Sequence, residues 1–181
     1  MRYILTLILV AGFFKSFCIK MQSGYPVPPK TYKSLFYIQR NHNKNTIVYD
    51  ANFDKNGKLD DDKPIEAYWI RYEENGQRMP LRRLEKWLVY GVKAKKSKIK
   101  GYDFKVNLAA SDKISLYLRQ TAPYKAEIHI ALKNDTFRLD HIYAKLKESG
   151  WLPKPIYAEI YGYSLKDGKP VYRKLDPKEI K

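Results

Sequence analysis

Two stretches, KISLYLR (113–119) and KAEIHIAL (125–132), decide how the chain folds. In the first, Ile114, Leu116 and Leu118 alternate with Ser115, Tyr117 and Arg119. In the second, Ala126, Ile128, Ile130 and Leu132 recur at every second position. A period of two puts each apolar set on one face of a β-strand and leaves the other face wet or lining a cavity.

The same pattern extends outward in both directions. SLFYIQR (34–40) and TIVYDANF (46–53) flank the turn-forming cluster Asn41–Asn45, and IEAYWIRY (65–72) precedes the tight-turn pair Asn75-Gly76. HIYAKLK (141–147) alternates as well; Leu139, Ile142, Tyr143 and Leu146 would also fit a helix, but the segment is read as a strand. PIYAEIYGYSL (155–165) and PVYRKL (170–175) form a hairpin through Asp167-Gly168. One helix interrupts the series. Pro80 suits its first turn, Leu81, Leu84 and Leu88 make an apolar stripe beside Trp87, and Gly91 stands where a C-terminal cap belongs. The expected fold is mainly β, an antiparallel sandwich or barrel of about eight or nine strands with one short helix. There is no glycine-rich loop and no regular alternation of strand with helix, so nothing supports a parallel nucleotide-binding sheet.

The chain has 181 residues, 44% hydrophobic and 30% charged, which suits a single globular domain with a real core. MRYILTLILVAGFFKSFC reads as an export signal over residues 1–18: Arg2 gives the positive start, and Ile4–Phe14 is too short to span a bilayer. Cleavage after Cys18 is expected. Lipidation of Cys18 is the alternative, and the bulky Phe17 before it speaks against that. Residues 19–33 form a proline-rich lead, extended and loosely attached, and 34–181 form one β-rich domain. Cys18 is the only cysteine, so a chain cleaved after it has no disulfide, thiol chemistry or thiolate metal site. Losing Arg2 and Lys15 lowers the formal charge from +16 to +14. For an exported protein that excess points to anionic envelope material, with peripheral membrane association in view, rather than to nucleic acid. No transmembrane span is expected after signal removal, and no cofactor is called for.

Candidate chemistry is sparse. In DANFDKNGKLDDDKP (50–64), Asn52, Asp54, Asn56 and Asp60 fall at ligand positions of a calcium loop if Gly57 takes the sixth place. The twelfth position then holds Lys63 instead of a bidentate glutamate, so the stretch reads as a polar turn. Glu127 and His129, two apart in a strand, share a face and make either an acid–base pair or a solvated one. Tyr157, Tyr161 and Tyr163 also share a face, suited to ring stacking or to half-buried strand packing. VKAKKSKIK (92–100) either grips anions or protects an edge strand.

The segments SLFYIQRNHNKNTIVYDANF and GKLDDDKPIEAYWIRYEENGQRMPLRRLEKWLVYGV resemble a family of small secreted bacterial proteins, frequent in Bacteroidetes and known only as a domain of unknown function. The resemblance runs from about Ser34 onward. It implies export, a single domain and a connector role for the acidic segment, and it brings no catalytic residues.

The sequence therefore points to an exported periplasmic or envelope-associated binding module, non-enzymatic, for an anionic or amphipathic ligand. Its expected contacts are Arg40, His42, Tyr68, Trp69, Arg82, Arg83 and Lys86. The alternatives are a secreted hydrolase using Glu127 and His129 or a metal, and a structural envelope protein acting through protein contacts.

Overall fold

The computed structural model describes residues 24–133, 135–147 and 154–180. The expected export segment with Cys18, and residues 19–23 of the lead, lie outside these. Eleven strands build one curled, mixed sheet that forms a half-barrel. They are β1 (Ser34–Arg40), β2 (Asn43–Ala51), β3 (Ile65–Arg71), β4 (Gln77–Pro80), β5 (Val92–Lys96) and β6 (Phe104–Leu108), then β7 (Ser111–Ala122), β8 (Lys125–Leu132), β9 (Asp135–Lys147), β10 (Lys154–Ser164) and β11 (Pro170–Leu175). The order is β4-β3-β2-β1-β9-β8-β7-β6-β5, with the β10–β11 hairpin on the other side of β9.

The mainly β barrel-like architecture follows the sequence pattern. Ile114, Leu116 and Leu118 of β7 and Ile128 and Ile130 of β8 point into the core, as their alternation requires. HIYAKLK is a strand within β9. Two strands were not foreseen: β4 is four exposed residues, and β6 buries Phe104, Val106 and Leu108 beside β7.

The curl originates in β9. One edge of this strand pairs with β10 along most of its length. The other edge is shared, antiparallel to β8 through Asp135–Arg138 and parallel to β1 through His141–Ala144. At Leu139 and Asp140 the sheet therefore forks, and the two arms swing around a common core that includes Ile47, Val106, Leu116, Ile130 and Phe137.

The arms do not close into a barrel. β4 covers β3 only from Tyr68 onward, and β5 pairs only with β6, so a seam separates β3 from β5. A helical segment, α1, bridges it: it runs as α-helix over Arg83–Glu85 and widens to π turns over Lys86–Tyr90. The wider turns break the expected stripe. Leu81 and Tyr90 are buried, while Leu84 is 62% and Trp87 69% exposed. Gly91 also acts differently from a left-handed cap, since its backbone is extended at φ −68°. A Cβ at Gly91 would lie 1.9 Å from the Lys86 carbonyl oxygen, so only glycine lets the wide last turn close. Gly91→Ala should cost about 1–3 kcal/mol in chemical denaturation, the scale of an overpacked site.

Two loops are tied down more firmly than their composition implies. In the acidic stretch Asp54 Oδ1 accepts from the Asn56 and Lys58 amides, both at 2.8 Å, and Asp60 Oδ1 accepts from those of Asp62 and Lys63. Gly57 (φ +75°) packs against Tyr124, whose hydroxyl donates to the Lys55 carbonyl. The described part of the lead, residues 24–33, is extended but docked, not loose. Tyr25 meets Tyr143 edge-on at 5.5 Å, Gln39 donates to the Pro26 carbonyl at 2.9 Å, and Lys30 pairs with Asp140 at 3.0 Å. The reason lies in β1 and β9: buried Gln39 needs a partner, and the Tyr143 ring needs cover.

Candidate functional site: a cation-rimmed cleft at the barrel seam

The seam holds a cleft of about 600 Å³ between β3, α1 and β5. β3 contributes Ile65 and Ala67, β5 contributes Val92, and Leu81 and Trp87 come from the bridging segment, so the lining is largely apolar. Its rim is cationic. Lys63, Arg78, Arg83, Lys86 and Lys93 stand against one acid, Glu66. Glu66 is already engaged by Arg78 at 2.7 Å and approached by Lys63 at 4.0 Å. Arg83, Lys86 and Lys93 have no carboxylate partner among the described residues. Tyr68 closes one side: Arg78 stacks on its ring at 3.7 Å, and its hydroxyl donates to Asp50 Oδ2 at 2.9 Å. Burial, reinforced by that bond, pushes the phenol well above its ordinary value and keeps it protonated. The size lies within the range of small-molecule sites, and an apolar pocket with a few cations suits a ligand with an oily body and an anionic head.

The fold brings together three of the expected contact residues, Tyr68, Arg83 and Lys86, on this cleft. It does not bring in the others. Trp69 shares the face of Ile65 and Ala67 but lies further along β3, outside the cleft lining, and is 1% exposed. The Arg40 and Arg71 guanidinium groups stack on its ring at 4.6 and 4.9 Å, and its indole donates to Glu85 Oε2 at 3.1 Å. Arg40 also donates to the Tyr90 hydroxyl at 2.6 Å. Arg40 and Trp69 are therefore a clasp that seats α1 on the sheet. His42 lies in the β1–β2 turn, off the cleft, and the exposed Arg82 side chain does not line it. Arg78 and Lys63 were missed. Arg78 could have been found from Asn75-Gly76, because a tight turn there folds the chain back over β3 and sets Arg78 diagonally across from Tyr68.

The remaining candidates lie away from the cleft. Glu127 and His129 do touch, at 3.3 Å, but His129 is 2% exposed and its other ring nitrogen meets the Tyr102 hydroxyl at 3.0 Å. Both nitrogens are occupied inside the fold. Burial holds the imidazole below its usual 6.5, with Glu127 partly opposing. The unfolded chain thus binds the proton first, and stability is complete above about pH 6.5 and falls as the pH drops below it. Thermal melts between pH 7 and 5 should show a downward slope that His129→Gln flattens. Glu127 lines a second cavity, about 210 Å³, in the fork of β9. There its charge faces Arg138 at 3.7 Å, and Asp140 is met by Lys30, so the fork presents matched charges.

The tyrosines are distributed. Tyr161 stacks on His141, which stacks on Tyr37, at 4.4 and 4.9 Å; Tyr157 lies under Lys174 and Tyr163 under Arg138. The side chains of Asn52, Asp54 and Asp60 bond the loop backbone, Asn56 gives its main-chain amide to Asp54, and among the described residues no group of three His, Cys, Asp or Glu side chains gathers as a metal site. Nor, among them, is any helix long and apolar enough to cross a membrane.

Fold and site together define a β half-barrel with an amphipathic cleft at its open seam. The chain belongs to the family described as Domain of unknown function (DUF4833), whose model matches residues 36–174. That span includes all eleven strands apart from the first two residues of β1 and the last of β11, and the whole cleft. No curated protein and no solved structure matches the chain.

Proposed function

We propose that this protein is a non-enzymatic binding module for an anionic amphiphile, held in the seam cleft. The observation that carries the reading is the charge imbalance over an apolar floor. Arg83, Lys86 and Lys93 are uncompensated beside Ile65, Ala67, Leu81 and Val92. An uncharged oily ligand would not need them, and an inorganic anion would not need the floor. In this reading the apolar lining supplies affinity by burying an alkyl chain, at about 0.8 kcal/mol per methylene, and the cations select an anionic head. The reading of residues 1–18 as an export signal supports an envelope location, where such amphiphiles are abundant.

The test is calorimetric titration with dodecyl phosphate, kept below its micelle threshold. Wild-type protein should bind one molecule saturably. Ala67→Phe, which fills the floor, should bind it at least about tenfold more weakly. Equal binding by both would remove the cleft from the function.

A further inference from the structure

The exposed side of α1 carries a second surface, which shares Trp87, Arg83, Lys86 and Lys93 with the cleft it borders. Leu84 and Trp87 stand three residues apart on the segment and are 62% and 69% exposed. Leu84 does not line the cleft. Cations accompany this apolar pair, and Arg83, Lys86 and Lys93 line the same cleft as Trp87. Arg82, Arg83 and Lys86 come from α1 and its first turn, and Lys93 and Lys95 project from one face of β5. The one acid of the segment, Glu85, turns inward, where Oε2 accepts from both the Trp69 indole and the Arg82 amide. A leucine and a tryptophan exposed to water among cations, with Glu66 across the cleft already held by Arg78, are poorly placed on a surface that meets only water. The same arrangement suits the edge of an anionic bilayer, where the rings and methyls enter the headgroup region and the cations stay among the phosphates.

We propose that the Leu84–Trp87 knob docks the protein on anionic lipid surfaces, with the mouth of the cleft facing the bilayer. Trp87 belongs to both features, since it is exposed on the knob and lines the cleft. The proposal deepens the binding reading by naming the source of the ligand: an amphiphile passes between the membrane and the cleft past Trp87, without crossing water. Charge complementarity selects the partner. A neutral bilayer would use the apolar pair alone, and a soluble acidic partner would use the cations alone.

The test is flotation with vesicles of phosphatidylglycerol and phosphatidylcholine, against vesicles of phosphatidylcholine alone, at low salt. Wild-type protein should float with the anionic vesicles. Bromine-labelled acyl chains should quench its tryptophan emission, and Trp87→Phe should remove that quenching. Leu84→Glu, a change at an exposed position, should lower vesicle binding by about tenfold or more while dodecyl phosphate still titrates normally. Ala67→Phe should do the reverse, floating normally but losing dodecyl phosphate. Undiminished flotation of Leu84→Glu, equal flotation with neutral vesicles, or no flotation would overturn the docking proposal. Loss of soluble amphiphile binding alone would instead strike the cleft reading and leave the docking surface standing.

Discussion

Trp69→Ala should cost about 3–5 kcal/mol of folding stability, the range for truncating a large buried aromatic. The indole is enclosed on all sides: Arg40 and Arg71 cover its faces, Tyr90 meets it at 5.2 Å, and its N–H is held by Glu85. Trp69 and Glu85 together join β3 to α1, so the loss falls on the junction that shapes the cleft. Trp69→Phe separates the two contributions. It keeps most of the ring and removes the donor, and should cost less than alanine, about 1–3 kcal/mol. Urea denaturation of both variants reads the difference. A surface contact for ligand would behave otherwise, with alanine within about 0.5 kcal/mol of wild type.

The second large effect is on binding. Glutamate at Arg83, Lys86 and Lys93 together should weaken dodecyl phosphate binding by about a hundredfold at low salt. Three attractive contacts become repulsive, and like charges brought together cost several kcal/mol. The three side chains are outside the core and have no carboxylate partner among the described residues, so folding stability should stay close to wild type. Calorimetry at two salt concentrations checks this. Wild-type affinity should fall with salt, while the variant's residual affinity, which rests on the floor alone, should change little. An unaltered affinity in the triple variant would mean that the cations are only a solvated surface.

The strands were legible because their apolar residues keep a period of two, as in β7 and β8, where one face is buried. β4 gave no such signal, since all four of its residues are exposed, and it exists because Asn75-Gly76 folds it onto β3. The fork in β9 could not be read at all. It depends on which strands share one edge, and alternation says only which side of a strand is apolar. A helix was expected where one occurs, but it starts later, since Pro80 ends β4 and Leu81 precedes the first turn. Its face was misread because one 3.6-residue period was run through non-helical residues and through turns that widen from Lys86. That error hid the exposure of Leu84 and Trp87 and left the seam unseen. The contact set divides for the same reason. Tyr68 and Trp69 are neighbours in sequence and point to opposite faces of β3; Tyr68 borders the cleft, while Trp69, on the face of Ile65 and Ala67, is sealed by Arg40, Tyr90 and Glu85. Residue type put both among the candidates, and only the barrel's open seam separates them.

Photolabelling with a long-chain fatty acid carrying a terminal diazirine, followed by peptide mapping, tests the binding claim most directly. The cleft account predicts saturable labelling confined to the segments that carry Ile65, Ala67, Leu81 and Val92, competed by dodecyl phosphate and lost in Ala67→Phe. Labelling at the β9 fork around Ala126–Ile128, or labelling that neither saturates nor responds to Ala67→Phe, would contradict it.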